Sequence, residues 1–237
     1  MYLLISDMHL GSPMFELKEQ LIKVLTDEKY SRIYIIGDLL DEWETDIDEI
    51  KEEFADVIDC INNSPKFVTI IRGNHDPESS VLKSIFPNKP VYSHYITDFK
   101  GRSVIMFHGD EFDFKITEHM TLSKFLFPIQ WMFERAGFNL NKFLRNLYHS
   151  IAQKIGHKNY NDLVMDVEQE AAAKYAEYDI FVMGHTHKEK LVKLNNNRFY
   201  INTGSLINYP VYVEFDEEEE IFKIRKFEGV NYEKYVV

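Results

Sequence analysis

The chain has 237 residues, 45% of them hydrophobic, enough apolar content for one domain to bury a core without disulfide staples. Its formal net charge of -12 opposes wrapping a polyanionic backbone over a broad face, so nucleic acid is not an expected partner. The single cysteine, Cys60, has no partner for an internal disulfide, and no apolar run approaches the roughly 20 residues of a membrane span, so a reducing, cytoplasmic location is expected.

Strand-like apolar runs alternate with helical patterns from the first residues onward, which predicts an α/β architecture. Tyr2–Ser6 reads as a strand, followed by Leu17, Leu21, Val24 and Leu25 at helical spacing. Arg32–Ile36 reads as a second strand, and Ile47, Ile50, Phe54, Val57, Ile58 and Ile61 form another helical stripe before a third strand at Phe67–Ile71. Ser103–Phe107, Ile180–Met183 and Arg198–Asn202 continue the series. Val211–Phe215 and Ile221–Lys226 flank the acidic run Asp216–Glu220 and predict a hairpin with a solvated tip.

The stretch from about 111 to 157 breaks this rhythm. It is rich in Phe, Leu, Trp and Tyr without strand-like alternation, and reads as a helical insert within a single domain spanning 1–237. A further helix from about Asp162 to Tyr178 returns the chain to the sheet.

Each of the first five strands ends in residue types that ligate metals: Asp7-Met8-His9, Gly37-Asp38, Gly73-Asn74-His75-Asp76, His108-Gly109-Asp110 and Gly184-His185-Thr186-His187. In open α/β sheets the ligand crevice lies beyond the carboxyl ends of the strands, so clusters distant in sequence converge there. Residues two apart in an extended segment point the same way, which lets Asp7 act with His9 and His185 with His187. Seven residues, Asp7, His9, Asp38, Asn74, His108, His185 and His187, exceed the needs of one ion. Two ions sharing Asp38 as a bridge use them economically. Carboxylate and amide oxygens mixed with imidazoles suit Mn best, with Fe or Zn as alternatives.

Taken together and in this order, the five clusters resemble the calcineurin-like metallophosphoesterase superfamily. The resemblance implies a four-layer α-β-β-α sandwich of two mixed sheets and hydrolysis of phosphate esters or anhydrides. It also implies two divalent metal ions, one held by Asp7, His9, Asp38 and His187, the other by Asp38, Asn74, His108 and His185. Ser6–Gly11, Gly37–Trp43, His108–Asp113 and the insert are similar to the UDP-2,3-diacylglucosamine pyrophosphatase branch of lipid A synthesis, although that branch has Arg where this chain has His75.

In the implied mechanism His75 protonates or stabilises the leaving oxygen, and Asp76 beside it fixes the imidazole tautomer. Arg72 is a phosphate-contact candidate. In the insert, Trp131 with neighbouring Phe and Leu residues forms either a cap for acyl chains or ordinary helix packing, and Arg145, Lys154 and Lys158 are candidates to meet a diphosphate. The expected substrate is a small or lipid-linked phosphate, with peripheral membrane contact through the insert. A general phosphodiesterase or phosphomonoesterase is the second reading, and a non-catalytic scaffold of the same fold the third. Length and composition leave the oligomeric state open.

Overall fold

The computed structural model describes residues 1–112, 160–194, 197–207 and 209–230. The chain divides into two compact units, Met1–Asp110 with Ala172–Val237, and Glu111–Ala171.

In the first unit, strands β1 (Tyr2–Ile5), β2 (Arg32–Ile36) and β3 (Phe67–Ile71) run parallel, and the short β4 (Val91–Tyr92) adds to β3 in the same sense. Helices α1 (Lys18–Thr26), α2 (Ile47–Glu53), α3 (Ala55–Asn62) and α4 (Ser79–Ile85) make the crossings. The second sheet holds β5 (His94–Phe99), β6 (Arg102–Phe107), β7 (Ile180–Met183), β8 (Lys190–Lys193) and β9 (Phe199–Asn202), in the order β5-β6-β7-β9-β8. Finally β10 (Val211–Asp216) pairs antiparallel with β1, and β11 (Ile221–Lys226) closes the hairpin that the sequence predicts.

Both sheets are mixed, and the period-two alternation of their strands sorts side chains into two cores. Leu3, Ile5, Ile33, Ile35, Val68 and Ile70 pack against the helices. Leu4, Tyr34, Ile36, Val104, Met106, Ile180 and Val182 fill the space shared by the two sheets. A strand buried on both faces reads as an unbroken apolar run, which is why these central strands are visible in the sequence.

Two local details fix the helices. Lys66 donates Nζ to the carbonyls of Leu25 and Asp27 (2.6 and 2.7 Å), placing a cation at the carboxyl end of α1. The expected single stripe from Ile47 to Ile61 is kinked at Phe54, whose φ of -109° and ψ of 25° leave the helical region although its amide and carbonyl still bond to Ile50 and Ile58. Buried Phe54 packs edge-on to Phe15, so the bend brings its ring into the helix-side core.

Of the second unit the described residues are 111–112 and the greater part of helix α5 (Tyr160–Lys174). The expected site residues Trp131, Arg145, Lys154 and Lys158 lie outside the described residues, as does the remainder of the predicted insert. Among the described residues no helix is long and apolar enough to cross a membrane.

Candidate metal centre

The loops after β1, β2, β3, β6 and β7 bring the predicted ligand types together. Their ligand atoms form three overlapping groups, Asp7 with His9 and His187, His9 with Asp38 and His75, and Asp38 with His108 and His185, each group lying within 4.8 Å of itself. Asn74 joins the last, its Oδ1 standing 3.2 Å from His108 Nε2.

Backbone conformation marks the same residues. Asp7, His9, Asp38, His185 and His187 have φ between 48° and 66°, and they are five of the eight non-glycine residues with positive φ among those described. The left-handed region costs a side-chain-bearing residue roughly 1–2 kcal/mol, so these loops hold strain that the surrounding hydrogen bonds must offset. The backbone contributes part of this, with Asp7 N–H bonding Gly37 O and His9 N–H bonding Asp38 O, both at 3.0 Å. Neighbouring glycines provide space. A Cβ on Gly37 would overlap the His108 ring, and one on Gly73 would overlap the Asp38 carboxylate.

Each carboxylate has one oxygen anchored and the other turned inward. Asp38 Oδ1 accepts from His75 N–H (2.9 Å), leaving Oδ2 at 3.1 Å from His108 Nε2 and 3.7 Å from His9 Nε2. That oxygen stands between two of the groups, where a shared ligand belongs. Asp7 Oδ2 accepts from Ser6 Oγ and from His185 N–H (3.0 Å), while Oδ1 faces His187 Nε2 at 3.1 Å. The Asn202–Ser205 loop secures this arrangement: Thr203 Oγ1 reaches Ser6 Oγ (2.6 Å), and Leu206 N–H donates to Asp7 O (3.1 Å).

Hydrogen bonds also set the imidazoles. His9 Nδ1 donates to Asp41 Oδ2 (2.8 Å) and His108 Nδ1 donates to Ile36 O (3.1 Å), so in the neutral ring each Nε2 is a bare lone pair. In that state the His108 lone pair points at other acceptors, and the His9 lone pair at a second imidazole nitrogen. His9 Nε2 is 3.2 Å from His187 Nε2, and His108 Nε2 faces Asp38 and Asn74 oxygens. Such a cluster needs a proton or a cation between its members. Against the cost of burying a charge, Asp38 and Asp7 lift the His108 imidazolium to about 10. Burial likewise opposes ionisation of Asp38, yet His108, His75 and His9 hold it well below the usual carboxylate range. Carboxylate, amide and imidazole donors converging with oriented outer partners fit a borderline divalent cation.

His75 lies beside this cluster, but its partner differs from the sequence expectation. His75 Nδ1 bonds Asp41 Oδ1 (2.9 Å), whereas Asp76 accepts from Leu40 N–H (2.8 Å) and Gly73 N–H (2.9 Å). The role assigned to Asp76 is therefore corrected: consecutive loop residues point apart, and Asp76 is a buried brace for two ligand loops. Its pKa, pushed up to about 7 by burial and by Asp38, suits a group held away from solvent. Sequence reasoning missed Asp41, which bonds both His9 and His75 and which those bonds, outweighing burial, bring down to about 2. The signal available was its position three residues after Asp38, on the loop leaving the same strand. Trp43, two residues further on, stacks on His75 with ring centroids 4.1 Å apart. Arg72 directs Nε to Pro77 O (2.8 Å) and Nη2 to Asp76 O (3.1 Å), so these donors tie the loop rather than face the ligand groups.

Two mixed sheets with ligand-bearing loops at the carboxyl ends of their parallel strands define a metallophosphoesterase fold. Residues 2–189 match the calcineurin-like phosphoesterase family, and the chain belongs to it. Among solved structures, an archaeal phosphodiesterase aligns with a TM-score of 0.50 at 16% identity, over 94% of this chain and 98% of its own. YfcE, a phosphoesterase from E. coli, gives 0.50 at 15%, over 95% and 98%. Vps29 from Chaetomium thermophilum gives 0.49 at 14%, over 94% of each. At these identities the likeness is one of fold. A comparison with curated proteins found no match.

Proposed function

We propose that this protein is a two-metal phosphoesterase, and the observation that carries the reading is Asp38 Oδ2 standing between two groups of inward-facing donors. Asp7, His9, Asp38 and His187 would hold one divalent ion, and Asp38, Asn74, His108 and His185 the other. When bound, such a pair lowers the pKa of water and offsets charge on phosphoryl oxygens.

The remaining work belongs to the chain's own residues. His75 is raised above the usual imidazole value, because the bond to Asp41 and the charge of Asp38 outweigh its burial, which favours the protonated ring. Its ring is partly open to solvent, whereas His9 and Asp41 behind it are buried. In the hydrolysis one P–O bond forms to water and one breaks to the leaving oxygen, which takes the His75 proton; the proton lost by water passes to solvent. Asp41 orients both rings.

Cleavage of UDP-2,3-diacylglucosamine is a second reading, supported by the Ser6–Gly11 and Gly37–Trp43 elements and weakened by His75 in place of Arg. Elemental analysis after reconstitution with Mn, together with assays on bis-p-nitrophenyl phosphate, p-nitrophenyl phosphate and the nucleotide-lipid, tests these readings. About two metal equivalents and metal-dependent turnover are expected. Failure to bind metal would return the chain to the scaffold reading.

A further inference from the structure

Trp43 is 46% exposed, unusual for an indole beside a buried polar cluster. It is nevertheless tightly placed. Glu42 N–H bonds His75 O (3.1 Å), Thr45 N–H bonds Asp41 O (3.1 Å), and Thr45 Oγ1 bonds Gly11 O (2.7 Å), so the loop is tied on both sides of the tryptophan. Its ring stacks on His75 at 4.1 Å and 29°, and His75 in turn meets His9 edge-on at 4.7 Å. Exposure increases along these three rings, from His9 at 2% to Trp43.

The surrounding charge separates the kinds of group that this ring can receive. The segment from Asp38 to Ile50 contains five acids besides Asp38 and Asp41 and no Lys or Arg, and the exposed Glu42 and Glu44 flank Trp43 directly. A phosphate would be repelled there, whereas a neutral planar ring would gain stacking area.

We infer that Trp43 is a stacking platform for the alcohol side of the substrate, so the ester cleaved has a planar, uncharged aromatic leaving group: a nucleoside or an aryl alcohol. This rests on the phosphoesterase reading: His75 borders the group formed with His9 and Asp38, so a leaving oxygen beside His75 carries its substituent toward the ring stacked on that histidine. A pyrophosphate substrate, whose leaving group is itself a phosphate, fits this acidic rim poorly.

The test compares Mn-loaded wild type, Trp43→Ala and Trp43→Phe on bis-p-nitrophenyl phosphate and on glycerophosphoglycerol, whose leaving group is neutral but not planar. Trp43→Ala should raise KM for the aryl ester about tenfold, the scale of one lost aromatic stack, leave kcat within about twofold, and spare the glycerol diester. Trp43→Phe should recover most of the loss. Independently of turnover, adenosine should saturably quench a component of indole emission that Trp43→Phe lacks. Equal damage to both substrates, or loss in kcat alone, would mean that Trp43 merely props His75 and would overturn the inference. If wild type hydrolyses neither ester, the phosphoesterase reading fails, and the quenching titration alone then decides the platform: saturation supports it and its absence refutes it.

Discussion

Two buried clusters in the first unit both contain ionised carboxylates, yet only one is complete in itself. Glu214 on β10 accepts from Tyr30 Oη (2.6 Å) and Arg225 Nε (2.7 Å), with Lys29 Nζ 3.0 Å away, so its charge is fully answered by donors. Those partners outweigh burial and hold its carboxyl below the ordinary value of 4.5. At the carboxyl ends of β1, β2, β3, β6 and β7 the inward oxygens of Asp7 and Asp38 instead face imidazole nitrogens, whose protons a cation can replace. Glu214 has what a structural ion network needs, whereas the Asp38 cluster is organised for something brought from outside. Burial of acids alone does not identify a site; carboxylates converging with imidazoles on one point do.

The sharpest way to break this contrast is Asp38→Asn. Removing the shared inward oxygen should cost turnover about a thousandfold and lower metal content, and the melting temperature should fall as well because the buried His108 imidazolium loses its counter-ion. Kinetics, elemental analysis and calorimetry on one preparation would check all three. A smaller loss is expected from His75→Ala, about a hundredfold in kcat on an ester with a poor leaving group and with metal content unchanged. Full activity in that variant would remove His75 from the proton-transfer role.

Glu214→Gln should instead keep kcat and KM while reducing stability by about 2 kcal/mol, the scale of hydrogen bonds to charged donors. The smallest effect is its pH dependence. Because the folded carboxyl titrates below its unfolded value, its contribution is present in full above about 4.5 and fades as pH falls through the folded value. Denaturation of wild type and Glu214→Gln should therefore converge on acidification from about pH 5 downward, and a gap that stays constant would show that Glu214 acts through shape rather than charge.

The same division governs what was legible from residue order. Central strands such as Arg32–Ile36, buried after its first residue, and Ile180–Met183, buried throughout, stand out as apolar runs. The edge strands β5 and β8, with polar or charged residues at alternate or terminal positions and exposed surfaces, carry no such signal, and β4 is only two residues long. At the site the ligand types were readable because each follows a strand. Partnership was not readable: Asp76 adjoins His75 in the chain, but Asp41 reaches it across the fold. The distinction between orienting a ring and bracing a loop exists only in three dimensions.

The left-handed backbone at Asp7, His9, Asp38, His185 and His187 has an implication for engineering. Glycine would relax the chain at any of these positions, so a screen rewarding thermal tolerance alone would drift toward them and dismantle the donor set as it succeeded. Robustness and chemistry pull against each other at the same five places, which makes them the residues to hold fixed in any attempt to harden this scaffold.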